Sequence, residues 1–130
     1  MVTKLLSILP ALVFALAASA QEETPPPPLA GRHLVLKEDG TPPLTGHTAT
    51  MVIVPTAVPG VFVGAFYVDD GTGPRVVPGE GTAIVGNGSV FAWQNQRGTE
   101  GRIDWVGDEW RSEVLTGPNA GTVRRLVPQS

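Results

Sequence analysis

The chain has 130 residues, no cysteine, and 9 Lys and Arg against 12 Asp and Glu, for a net charge of −3. Without cysteine it has no disulfide, no thiol nucleophile, no cysteine-ligated metal and no lipid-anchored cysteine. The mild acidity, with Arg124-Arg125 as its one adjacent basic pair, argues against a nucleic-acid partner, which needs clustered Lys and Arg.

Residues 1–20 read as a secretory signal peptide. Lys4 supplies a positive start, an apolar run follows from Leu5 to Ala18, and Ala18-Ser19-Ala20 offers small residues to a signal peptidase. The run is short for a membrane span and carries Pro10. Cleavage is expected after Ala20, which puts the mature protein in the periplasm or the medium, with no membrane contact thereafter. Loss of Lys4 leaves 8 basic against 12 acidic residues, net −4.

Residues 21–29 contain Pro25-Pro26-Pro27-Pro28, which favours an extended polyproline segment and reads as a linker. A single domain is expected over 30–130. It is rich in Gly, Pro, Val and Thr and has no sustained 3.6-residue period. Apolar and β-branched runs instead recur every 8–12 residues or so, at 33–37, 48–54, 61–68, 75–77, 82–85, 89–95, 101–106, 109–115 and 122–127. Joining 75–77 and 82–85 as one strand bent at Pro78-Gly79 leaves eight.

Short turns separate the runs. Asn87-Gly88 predicts a type I′ hairpin, and Asp39-Gly40, Asp70-Gly71 and Gly107-Asp108 act similarly. Short turns join antiparallel neighbours. The expected fold is therefore all-β, a small antiparallel up-and-down eight-stranded β-barrel in which closure removes open edges, with a β-sandwich as the alternative. Alternation places Met51 with Ile53, Phe62 with Gly64 and Phe66, Phe91 with Trp93, Ile103 with Trp105, and Trp110 with Ser112 and Val114 on common faces.

Three stretches resemble the avidin/streptavidin family of barrels. They are Met51-Val52-Ile53-Val54 followed by Gly60-Val61-Phe62-Val63-Gly64-Ala65-Phe66, then Gly88-Ser89-Val90-Phe91-Ala92-Trp93-Gln94-Asn95, then Ile103-Asp104-Trp105-Val106-Gly107. Other small calycin-like barrels share the pattern. The family's first-strand biotin contacts find no match in Arg32-His33-Leu34-Val35-Leu36-Lys37, and Phe66 stands where its third strand has Tyr. The resemblance implies a barrel and does not imply biotin.

No catalytic constellation emerges. His33 and His47 lack a third metal ligand at useful spacing. Asp69-Asp70-Gly71 reads as a solvated turn, and Asp104, Glu109 and Glu113 are expected to face outward. Neither Ser89 nor Ser112 has a nucleophile-elbow motif. No metal, cofactor or enzymatic activity is expected. The candidate ligand-binding residues are Phe66, Phe91, Trp93, Trp105 and Trp110, aromatic rings that would line an apolar pocket; filling the core is their competing role. The expected function is an exported, non-enzymatic binding protein for a small apolar or amphipathic ligand. The alternative is an exported protein-binding module or hydrolase inhibitor acting through loop 40–47 or the N-terminal arm.

Overall fold

The computed structural model describes residues 25–129, which fold into nine strands without a helix. The expected signal peptide and the first residues of the linker lie outside the described residues. The strands are β1 (Gly31–Lys37), β2 (Thr48–Pro55), β3 (Val61–Asp69), β4 (Pro74–Val76), β5 (Thr82–Asn87), β6 (Val90–Asn95), β7 (Glu100–Val106), β8 (Glu109–Val114) and β9 (Val123–Gln129). Each wall strand pairs antiparallel with its sequence neighbours, and β1 pairs with β9 along Arg32–Lys37, so the sheet closes on itself. The fold is an up-and-down barrel of eight strands with β4 as an extra piece, and not a sandwich.

The predicted merger of the fourth and fifth runs does not occur as one strand. β4 and β5 follow each other along the same edge of β3, with Tyr67 opposite Val76 and Gly64 opposite Thr82. Between those pairs, residues 77–81 face only Ala65 and Phe66. Pro78 cannot donate to a ladder and Gly79 takes a φ of 83°, so the pairing breaks there. The break carries Glu80 to the barrel mouth.

The hairpin between β5 and β6 also differs from expectation. Asn87 remains in the strand opposite Val90, and Gly88-Ser89 form the two-residue turn. Only Gly88 has positive φ, 67°, which is the φ pattern of a type II′ rather than a type I′ turn. A two-residue loop of that kind needs one left-handed residue, and glycine supplies it.

Inward positions follow the alternation. At the end of the barrel closed by two short turns (Gly88-Ser89 and Gly107-Asp108), Ile53, Ile84, Phe91, Trp110 and Ile103 are almost wholly buried. Rings meet edge to face there. Phe62 and Phe91 have centroids 5.6 Å apart, Phe91 and Trp110 5.9 Å, and Trp105 and Trp110 5.2 Å. Burying each such side chain contributes about 1.5–3 kcal/mol, which serves in place of disulfides. Gly64, between Phe62 and Phe66 on β3, has no side chain, and Ile53 and Ile84 from the two flanking strands pack against the space it leaves.

Leu29 seals this end. Expected as the last residue of the linker, it is 3% exposed within the core, and its carbonyl accepts a 2.6 Å hydrogen bond from His33 Nε2. Outside, β7, β8 and β9 carry an ion-pair network: Arg102 with Asp104 and Glu113, and Glu109 with Arg111 and Arg125. The three carboxylates face outward as the alternation requires.

Candidate functional site

The other half of the barrel is open. Strands β1, β3, β6 and β8 end there, joined onward by the connections that carry residues 38–47, 70–81, 96–99 and 115–122. Between them lies a cavity of about 450 Å³. That lies within the roughly 300–1,000 Å³ of ligand pockets. The packed half thus forms a floor, with Ile103 and Leu126 at its surface.

The walls are built one strand at a time by residues two positions above the packed layer. Met51 stands above Ile53, Phe66 above Gly64, Trp93 above Phe91, and Val114 above Ser112, which itself stands above Trp110. These side chains form the apolar part of the wall. Of the five aromatic candidates, the structure brings Phe66 and Trp93 to the cavity. Phe91, Trp105 and Trp110 pack together beneath it. Trp110 is fully buried; Trp105 is partly exposed at the closed end.

Polar residues are at least as numerous in the lining as apolar ones, and most belong to the mouth, among them Thr99, Thr116, Asn119 and Thr122. The Thr82 hydroxyl donates to the Glu80 carbonyl at 2.9 Å, and Asn95 Oδ1 accepts from the Arg97 and Thr99 amides, fixing the β6–β7 turn. Arg97 reaches across to Glu80 at 3.3 Å and donates to the Pro78 carbonyl at 3.2 Å, tying that turn to the break before β5. Among the described residues Glu80 is the one carboxylate lining the cavity, and it is already paired.

Two further polar residues line the interior. Ser112 on β8 and Arg124 on β9 are ladder partners, and both point inward. In the sequence Arg124-Arg125 stands out only as a basic pair. Strand alternation splits it. Arg125 faces out and donates to Glu109 at 2.9 Å, while Arg124 shares the inner face with Leu126. The signal was present, since Arg124 lies two residues before an apolar Leu126 in a closing strand.

His33 lies in the packed half and does not line the cavity. Burial pushes its pKa below the ordinary histidine value, partly offset by the hydrogen bond to Leu29. Because a carbonyl can only accept, Nε2 carries the proton; Nδ1 is buried without a partner among the described residues. Among the described residues no cluster of three His, Cys, Asp or Glu side chains could hold a metal ion.

No protein-family model, no curated protein and no solved structure matches the chain.

Proposed function

We propose that the chain is an exported, non-enzymatic binding protein that holds a small apolar or amphipathic ligand in the open half of its barrel. The observation that carries this reading is the cavity of about 450 Å³, walled by Met51, Phe66, Trp93 and Val114 above a packed floor. A barrel of this strand number could fill its interior with side chains from end to end; this one stops halfway. Support for export comes from the signal-like pattern of residues 1–20. Support for a non-enzymatic role comes from the lining, in which, among the described residues, the single carboxylate is paired with Arg97 and has no second carboxylate or imidazole beside it.

Tryptophan emission during titration with phenylnaphthylamine, a neutral apolar probe, tests the reading. Saturable quenching with one site per chain is expected, lost when Ser112→Phe fills the cavity. Absence of binding by this probe and by a panel of charged amphiphiles would overturn it.

A second reading, an exported protein-binding module, is favoured by Leu44, which is 48% exposed just after Pro42-Pro43 in the loop between β1 and β2. Replacing Pro42, Pro43 and Leu44 by glycine leaves probe binding intact on the first reading and abolishes partner capture on the second.

A further inference from the structure

Resting on that reading, we propose that the ligand is an anion: an apolar body carrying one carboxylate, sulfonate or phosphate, which Arg124 receives inside the barrel.

Five of the seven arginines are spoken for by carboxylates. Arg75 pairs with Asp70, Arg97 with Glu80, Arg102 with Asp104 and Glu113, and Arg111 and Arg125 with Glu109. Arg32 is exposed on the outer face of β1. Arg124 is the arginine that lines the cavity with neither an ion pair nor a side-chain hydrogen bond among the described residues. Its ladder partner on the other side is Lys37, so two cations stand directly opposite each other across β1 and β9. Like charges in that relation repel. Lys37 at the rim has Asp39 nearby, whose carboxyl it helps hold below the usual range, behind the hydrogen bonds from Thr41. Arg124 forms no ion pair with a carboxylate among the described residues.

A guanidinium is always charged and offers five donors in a planar fork suited to an oxyanion. Held half out of water against an apolar wall, it interacts with an anion more strongly than a surface arginine does. Ser112, in register with it, places a hydroxyl donor on the same inner face. Glu80 and Arg97 cancel at the mouth, which leaves Arg124 as the uncompensated charge of the cavity in a chain that is acidic overall. The apolar body of the ligand then lies against Phe66 and Trp93, with its anionic group at β8 and β9.

Paired titrations of phenylnaphthylamine and of anilinonaphthalene sulfonate, which share a ring system and differ in the anionic group, test the inference. Wild type should bind both, the sulfonate about tenfold or more tightly, the scale of a charge-assisted hydrogen bond. Arg124→Gln should abolish that preference. Arg124→Lys should keep part of it, because the charge remains without the fork. If neither probe binds wild type, the binding reading itself falls. If both bind equally, the cavity stands and the anion does not. If Arg124→Gln retains the preference, Arg124 is not the receptor. Should Arg124→Gln fail to fold by circular dichroism, the wild-type preference and its partial retention in Arg124→Lys decide, and equal binding of both probes overturns the inference.

Discussion

The indole of Trp93 lies against the backbone of Gly101, its in-register partner on the neighbouring strand. A Cβ at Gly101 would collide with the ring and with the Glu113 carbonyl on the other side. Glycine is therefore required here for close approach, in an extended strand where its left-handed freedom is not used. Gly101→Ala is expected to destabilise the barrel by about 1–3 kcal/mol, as overpacking does, and to push Trp93 into the cavity. Urea denaturation reads the first effect and weakened probe binding the second. Trp93→Val in the same chain should recover part of the stability, since only the carbonyl clash remains.

Trp110 is the hub of the floor, touching Phe91 and Trp105 edge to face. Its Nε1 is buried and finds no partner among the described residues. Trp110→Ala should cost about 3–5 kcal/mol. Trp110→Phe should cost clearly less, because it keeps much of the apolar volume and removes a donor that is already unsatisfied. Thermal unfolding of the two variants makes the comparison; equal losses would overturn the assignment of the cost to the apolar volume of the ring.

His33 gives stability a pH dependence near neutrality. Its folded pKa lies below the ordinary 6.5, so the unfolded chain binds a proton first as pH falls. This contribution is full above about pH 6.5 and declines as pH drops toward the folded value. His33→Gln, which can still donate to the Leu29 carbonyl, should flatten the stability profile between about pH 7 and pH 5. An unchanged slope in that variant would assign the dependence to another group.

A separate loss belongs to the acid range. Burial alone would raise the Glu109 pKa, but the hydrogen bonds and charges of Arg125 and Arg111 outweigh it and hold the carboxyl below its usual value. Its contribution is present above the ordinary carboxylate pKa and disappears as pH falls through the folded one. Because the network lies on the outer face, Glu109→Gln should cost no more than about 1 kcal/mol at neutral pH, and less in high salt. Chemical denaturation at two salt concentrations checks this.

Leu29 extends the folded unit by one residue toward the proline run. Leu29→Ala should cost about 2–4 kcal/mol, as for other buried leucines. A chain starting at Leu29 should unfold at nearly the same temperature as one that keeps Pro25 to Pro28, whereas a chain starting at Gly31 should not.

Much of this architecture was legible in the sequence. Period-2 alternation placed Phe91 with Trp93, Ile103 with Trp105 and Trp110 with Ser112 on inner faces, because a strand offers a side chain only two directions. Alternation alone could not say how far along the axis the filling would extend. That depends on the stagger of the strands, which sets Trp93 above Phe91 and leaves Trp110 below Ser112. Hence the five aromatics divide between floor and wall. Arg124 escaped notice because adjacent charges invite reading as one patch, although in a strand neighbours point apart. The break at Pro78-Gly79 was visible as punctuation, but its outcome rests on how many residues β3 offers opposite it.

The first and last wall strands are partners, and Arg32 stands opposite Gln129 beside the Leu29 plug. The polypeptide thus enters and leaves the barrel at its sealed pole. Grafting onto a sensor chip or a fusion partner through either terminus orients the entrance away from the support, so attachment by one end or the other should give the same ligand uptake.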